Sequence, residues 1–141
     1  MSSTLVSNIS ELVTNSNPDL GIINDAAFVI EDGKVVWVGG AQSAPATDSK
    51  IDAHGGTVTP GFVDSHTHAV FAGDRSADYL ARMSGGSYSS GGINTTVHAT
   101  RSASVEDLRT QTRRIVEQAR SSGTTTLEIK SGYGLDVATE K

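Results

Sequence analysis

The short run Asp64-Ser65-His66-Thr67-His68 contains the side chains of this sequence that are best suited to chemistry. It ends an apolar stretch that we interpret as a β-strand. Residues two apart in a strand point to the same face and lie roughly 6.6 Å apart, so His66 and His68 can turn toward one point. Imidazole nitrogens bind a metal ion at about 2.0–2.1 Å and can converge from that separation. The spacing suggests a metal site, with Asp64 on the same face to orient one imidazole.

Two histidines at this spacing also fit a solvated surface, so the pair alone leaves both interpretations open. His54 and His98 stand alone in the sequence, and we expect them in loops or at strand edges with structural or exposed roles. A catalytic zinc normally takes three protein ligands and a water, whereas this motif supplies two. A third ligand is therefore expected elsewhere.

The composition of the chain argues against several classes of protein. The chain has 141 residues, a net charge of -5 and 36% hydrophobic residues, enough for one modest core. No basic stripe of the kind that neutralises phosphates is visible, so we expect no nucleic-acid partner. The absence of cysteine excludes disulfides and thiolate metal sites. We find neither a secretory signal nor the ~20 apolar residues that cross a bilayer, and expect a cytoplasmic protein.

The first part of the chain is predicted to be β-structure. Short apolar runs are separated by turn residues, and Asp32-Gly33 is a typical hairpin turn. The predicted strands are Leu5 to Val13, Ala26 to Ile30 and Lys34 to Val38, and Gly39 to Ser49 is predicted to be a loop. A change of pattern near residue 58 indicates a boundary, which gives domains 1–58 and 59–141.

The second part follows a strand, helix, strand order. Helical spacing predicts a helix from Val105 to Ser121, with Ser104 and Gly123 suited to its ends. The other predicted elements are a strand ending near His68, a short helix from Ser76 to Met83, a strand from Thr124 to Lys130, a turn at 131–134 and the start of a helix from Val137 to Lys141. Little periodicity is visible otherwise between Arg75 and Arg101, where we expect a long loop.

Longer stretches around these motifs carry a family resemblance. The run from Val58 to His68, in which a Pro-Gly step leads into D-x-H-x-H, resembles the first barrel strand of the amidohydrolase superfamily. His66 to Arg75, the Thr100-Arg101 step and Gly123 to Leu135 resemble the imidazolonepropionase family within it. These stretches extend over most of residues 57–136. One departure is a segment between Tyr88 and Gly91 that is shorter than in many family members.

The resemblance implies roles for four residues. His66 and His68 would be two ligands of one zinc or iron ion. Arg75 would bind the propionate carboxylate of the substrate, although a solvated arginine paired with Asp74 or Asp78 is the alternative. Tyr133 would contact the substrate through its hydroxyl, or else be a packed turn aromatic. The general acid and base and the remaining metal ligands are expected beyond Lys141.

The resemblance also implies a fold and a reaction. The fold class is α/β: the start of a (β/α)8 barrel, preceded by strands of a small β-sandwich. A closed barrel needs roughly 250 residues, so we expect an incomplete, inactive N-terminal fragment. The implied reaction of the whole enzyme is hydrolysis of the cyclic amide of 4-imidazolone-5-propanoate to N-formimidoyl-L-glutamate, and a homodimer is implied for full-length members. Another cyclic amidohydrolase or deaminase, and a non-enzymatic metal-binding or interaction domain, are the alternatives.

Overall fold

The computed structural model describes residues 2–85 and 92–141. The chain divides into two units, Met1–Pro60 and Gly61–Lys141. The first unit is a five-stranded sheet and the second contains helices and a two-stranded sheet, so the chain is of mixed α/β class. The shortened segment expected between Tyr88 and Gly91 lies outside the described residues.

The first unit is a mixed sheet built around its longest strand. Its strands are β1 (Ser3–Val13), β2 (Ile22–Glu31), β3 (Lys34–Gly40), β4 (Ser49–Asp52) and β5 (Thr57–Val58). Strand β1 pairs antiparallel with β2, which pairs antiparallel with β3, while β4 and β5 run parallel to β1 on its other side.

The hairpin between β2 and β3 confirms the turn prediction. Asp32 and Gly33 have φ angles of 48° and 75°, the doubly positive pattern of the tight hairpin turn that Asp-Gly favours. The first three strands are longer than predicted, and β4 and β5 were missed. Both missed strands are short, and β4 is exposed along its length, so neither carries the alternating apolar pattern that predicts a strand.

Two apolar clusters form the core of the first unit. One contains the buried residues Val6, Ile9, Leu12 and Ala26. The other contains Leu5, Ala27 and Val29, against which Trp37 packs. An irregularity in the pairing of β1 with β2 lies between Val6 and Ile9, and it allows these two residues, three apart, to share a cluster.

The second unit brings two parallel strands together through helices. Strand β6 (Phe62–Thr67) pairs in parallel with β7 (Thr124–Ile129). Between them lie helices α1 (Ser76–Met83), α2 (Ile93–Ser102) and α3 (Val105–Ser121), and α4 (Val137–Glu140) follows β7. The predictions for α1 and α3 are confirmed, and Ser104 caps α3 by accepting a hydrogen bond from the Asp107 amide at 3.1 Å.

Helix α2 corrects the prediction of a long loop between Arg75 and Arg101. Threonines at 95, 96 and 100, with Ile93 and Val97, have branched side chains that lower helix propensity, so the local sequence argues against this helix. Tertiary contacts stabilise it instead, because Thr96, Val97 and Thr100 are buried. His98 consequently lies on a helix rather than in a loop or at a strand edge, whereas His54 lies in an exposed turn as expected.

None of the helices in residues 2–85 and 92–141 combines the length and the apolar character needed to span a bilayer.

Candidate metal centre

Strand β6 ends in a bulge at the D-x-H-x-H motif. From Asp64 to Thr67 this strand advances three residues, while β7 advances two, from Leu127 to Ile129. One extra residue on β6 bends the strand and re-aims its side chains. His66 lies within this irregular stretch and His68 follows directly after the strand. The positions of the two imidazoles therefore depend on the bulge as well as on strand alternation.

The two imidazoles converge through their Nε2 atoms. These atoms lie 3.3 Å apart, and the ring centroids are separated by 5.1 Å with the planes inclined at 69°. Two nitrogens that bind one tetrahedral zinc ion at 2.0–2.1 Å would be separated by about 3.3–3.4 Å. The pair thus has the spacing that two ligands of a single ion require.

The second ring nitrogen of His68 is enclosed by the protein. Nδ1 of His68 is buried and has no hydrogen-bond partner among residues 2–85 and 92–141. A buried ring nitrogen without a hydrogen-bond partner costs about 1–3 kcal/mol, and the packing around the ring has to offset this cost. With Nδ1 enclosed, the lone pair that His68 presents to a ligand is that of Nε2.

The hydrogen bonds of the Asp64 carboxylate go to neither imidazole ring, which corrects the expectation that Asp64 orients one of them. Its carboxylate accepts hydrogen bonds from the Thr67 hydroxyl and from the backbone amide of His66, the latter at 3.1 Å. The Thr67 hydroxyl and then the His66 amide lower the pKa of the Asp64 carboxyl below its usual range. The bulge between Asp64 and Thr67 explains the difference, because it interrupts simple alternation. Asp64 therefore fixes the bulge backbone.

Tyr133 lies beside the histidine pair. Its ring meets that of His68 edge-on, with centroids 5.6 Å apart, and meets Phe71 at 6.1 Å. The preceding residue, Gly132, lies so close to the His68 ring that an added Cβ would be 2.8 Å from its Cε1 atom. Residues 131–134, the turn that follows β7, are thus in direct contact with the candidate metal ligand.

This turn is fixed from two sides by residues to which the sequence alone assigned no role. Arg101 donates from Nη1 to the carbonyl oxygen of Gly134 at 2.9 Å. Glu140 accepts hydrogen bonds from the amides of Gly134 and Leu135 at 2.7 and 2.9 Å. Thr100-Arg101 is part of the family resemblance, but a contact with a turn more than thirty residues later leaves no local pattern in the sequence.

The loop that follows His68 is also anchored by helices. The Thr100 hydroxyl accepts a hydrogen bond from the Ala72 amide at 3.0 Å, and the Thr112 hydroxyl donates to the Ala69 carbonyl at 3.3 Å. Ala69 and Thr100 are buried. Helices α2 and α3 therefore hold the chain segment that leads from the histidine pair toward Arg75.

Arg75 forms an ion pair with Asp78, one of the two partners that the sequence suggested. Its Nε lies 3.1 Å from a carboxylate oxygen of Asp78, one turn along α1. The structure thus brings His66, His68 and Tyr133 together, whereas Arg75 is paired with Asp78. Lys130, directly after β7, forms an ion pair with Glu128.

A complete set of metal ligands is not found within residues 2–85 and 92–141. No cluster of three or more histidine, cysteine, aspartate or glutamate side chains capable of holding a metal ion occurs there. The described residues therefore offer two ligands, as the motif indicated, and a catalytic ion would need at least one more.

Curated relatives match nearly all of this chain. Imidazolonepropionase of Salinispora tropica is 56% identical, with 99% of this chain matched to 36% of the relative. Those of Mycolicibacterium smegmatis and Saccharopolyspora erythraea are 53% and 50% identical, with 99% and 100% of this chain matched to 36% of each relative. No protein-family model matches the chain. The chain spans about a third of the length of these relatives.

Three solved enzyme structures share the fold. A prolidase complexed with N-methylphosphonate-L-proline matches with a TM-score of 0.60 and 18% identity, over 96% of this chain and 27% of its own. Ochratoxinase of A. niger matches with a TM-score of 0.59 and 21% identity, over 97% and 27%. A mutant atrazine chlorohydrolase of Arthrobacter aurescens, complexed with zinc and atraton, matches with a TM-score of 0.58 and 20% identity, over 97% and 32%.

The sequence identity over the whole chain agrees with the family resemblance of residues 58–75 and 123–135. This chain belongs to the imidazolonepropionase family, of whose members it spans about a third.

Proposed function

We propose that this chain supplies part of the active site of an imidazolonepropionase. The whole protein would hydrolyse the cyclic amide of 4-imidazolone-5-propanoate to N-formimidoyl-L-glutamate. The observation that carries this proposal is the 3.3 Å separation of the His66 and His68 Nε2 atoms, with Tyr133 beside them. The identity of 56% to a relative named imidazolonepropionase supports the choice of reaction.

We propose that His66 and His68 hold one zinc or iron ion through their Nε2 atoms. Zinc is present in the atrazine chlorohydrolase complex, which shares the fold. An ion held there would supply Lewis-acid polarisation of the amide carbonyl and would acidify water. The two histidines would contribute nitrogen ligands, and the packing of Gly132 and Tyr133 against His68 would keep one ring from rotating.

We assign substrate binding to Arg75 and Tyr133. A guanidinium can bind a carboxylate through two parallel hydrogen bonds, which suits Arg75 to the propionate group, and Asp78 would orient it through Nε. The Tyr133 hydroxyl can donate a hydrogen bond to a substrate oxygen next to the metal ligands. The reaction also needs a general base to take a proton from water, and we assign this role to no residue of the chain.

The parallel strands β6 and β7, connected through α3, are proposed to be the first βα units of a (β/α)8 barrel. In such barrels the active site lies at the carboxyl ends of the strands, which is where His68 and the turn at 131–134 follow β6 and β7. The first unit is proposed to be part of a small β-sandwich. The cytoplasmic location and the homodimer expected from the sequence stay predictions.

Hydrolysis can be tested in a joined protein. In this protein, residues 1–141 replace the matching 36% of the Salinispora tropica relative. We call it the joined protein. We expect it to hydrolyse 4-imidazolone-5-propanoate and to contain about one zinc or iron ion per chain. His66→Ala and His68→Ala should each remove most of the metal and the activity. His54→Ala is the matched control, since that ring is 85% exposed in the first unit.

The same protein distinguishes the alternatives. Guanine, hydantoin and dihydroorotate would be assayed in parallel, and faster turnover of any of them would overturn the proposed substrate. A joined protein that folds like the relative and binds metal, but hydrolyses none of the four compounds, would favour a non-enzymatic metal-binding domain. Retention of metal and activity in both histidine variants would contradict the proposed ligands.

A further inference from the structure

Arg101 connects helix α2 to the turn that carries Tyr133. Its Nη1 donates to the Gly134 carbonyl oxygen at 2.9 Å, and its Nη2 forms an ion pair with Asp136 at 2.9 Å. A guanidinium presents its donors in a rigid fork. Because Arg101 binds both Gly134 and Asp136, it fixes the distance between these two residues and their distance from α2. Gly134 follows Tyr133 directly in sequence and is itself buried.

The neighbouring residue on α2 holds the other loop of the candidate site. Thr100 is buried, and its hydroxyl accepts the amide hydrogen of Ala72 at 3.0 Å. Ala72 lies four residues after His68, in the segment that leads to Arg75. Two consecutive residues of one helix thus reach the loop after β6 and the turn after β7. Helix α2 therefore connects the loop after β6 to the turn after β7.

The position of Tyr133 depends on these backbone contacts. Its ring meets His68 and Phe71 only edge-on, with centroids 5.6 and 6.1 Å apart. The peptide groups that follow it are fixed on both sides, because Gly134 donates its amide hydrogen to Glu140 and accepts at its carbonyl from Arg101. Removing the Arg101 contact would leave the turn attached on one side.

We infer that Arg101 is a positioning residue, which acts through Gly134 and Asp136 to hold Tyr133 beside the metal ligand His68. This inference rests on the proposed function in one respect only: the effect on substrate arises because Tyr133 contacts substrate. Arg101 itself does not need to touch substrate or metal. An exposed ion pair contributes little to stability, and the bond to the carbonyl of buried Gly134 is what distinguishes Arg101 from such a pair.

The first test measures the turn without reference to activity. Amide hydrogen exchange at Gly134 and Leu135 would be compared in the joined protein and its Arg101→Lys and Arg101→Ala variants. Lysine keeps the charge but loses the fork, so we expect both variants to exchange about tenfold faster or more at these amides. Arg120→Lys is the matched control, because Arg120 makes an exposed pair with Glu117 on α3. Unchanged exchange in Arg101→Ala would overturn the inference.

The second test asks whether Arg101 acts through Tyr133. We expect Arg101→Lys to raise KM for 4-imidazolone-5-propanoate about tenfold with a smaller change in kcat, and to have little further effect in a Tyr133→Phe background. Equal effects in both backgrounds would mean that Arg101 acts elsewhere and would overturn the inference. A joined protein without hydrolase activity would contradict the proposed function, while hydrogen exchange would still decide the role of Arg101.

Discussion

At the scale of single residues, the close approach of Gly132 to His68 is the most restrictive feature of the candidate site. Any side chain at position 132 would meet the imidazole, since an added Cβ lies 2.8 Å from Cε1 and 3.0 Å from Nδ1. The ring cannot retreat easily, because its Nδ1 is buried and Tyr133 packs beside it. The position of one proposed ligand thus depends on a residue that has no side chain.

Gly132→Ala is therefore expected to weaken metal binding. The added methyl group should displace the His68 ring and with it the Nε2 atom that would bind the ion. Loss of a contact that supports a metal ligand lowers metal affinity about 10–100-fold, and we expect a decrease of this size. Zinc dissociation from the joined protein into a competing chelator measures this. Gly40→Ala is the matched control, because an added Cβ there meets nothing within 4 Å. Equal affinities in the two variants would show that His68 does not bind the ion.

Glu140 makes the turn after β7 sensitive to acid. The hydrogen bond from the Leu135 amide is the main reason why the pKa of the Glu140 carboxyl lies below its usual range. Because the folded pKa is lowered, the stabilisation is present at neutral pH and is lost as the pH falls from about 4.3 through the folded pKa. We expect the amide resonances of Gly134 and Leu135 to shift over this range. Glu140→Gln retains an acceptor oxygen without titrating, and the shift should disappear in it.

Residue types and strand order were sufficient to predict the histidine pair and the neighbouring strand and turn. Asp64 was misjudged because a bulge cannot be read from a motif that alternates perfectly in the sequence. Arg101 received no role for a different reason. Its partners, Gly134 and Asp136, are distant in sequence, and one of them is a backbone carbonyl that any residue type could provide.

At the scale of secondary structure elements, α2 is stabilised by its surroundings rather than by its own sequence. Its branched residues are poor helix formers, whereas α3 combines helical spacing with an N-cap at Ser104 and was predicted correctly. Burial of Thr96, Val97 and Thr100 stabilises the helix despite its low intrinsic propensity. Such a helix becomes predictable only when the fold around it is known.

Thr100→Val tests this dependence on tertiary contacts. The substitution keeps the shape of the side chain but leaves the Ala72 amide without its acceptor, which should lower the free energy of unfolding by about 1–3 kcal/mol. Urea denaturation of the joined protein measures the change. Thr95→Val, at an exposed position of the same helix, should change it by much less. If the two variants are equally stable, the Ala72 contact does not stabilise α2.

At the scale of the whole molecule, the two units differ in how much apolar surface they bury. Seven hydrophobic residues of the first unit are buried, whereas in the described part of residues 61–141 only Ala69 and Val97 are. The two-stranded sheet exposes large side chains, with Phe62 at 58% and Val63 at 69%. Exposed apolar patches and unpaired strand edges favour association with other chains.

We therefore expect the 141-residue chain by itself to self-associate through the second unit. Sedimentation velocity over a range of concentrations should show oligomers, and Phe62→Ser with Val63→Ser should reduce them. Val35→Ser with Val36→Ser, at exposed positions of β3 in the first unit, is the matched control. A monomer at all concentrations would show that the exposed sheet is not a site of association.

The aromatic residues are distributed unevenly between the two units. The single tryptophan, Trp37, packs against the second apolar cluster of the first unit, whereas all three tyrosines of the sequence fall within residues 61–141. Intrinsic fluorescence therefore separates the units without any added label. Tryptophan emission follows the melting of the first unit, and tyrosine emission follows that of the second. Coincident transitions would mean that the units unfold as one, and separate transitions would give each unit its own stability.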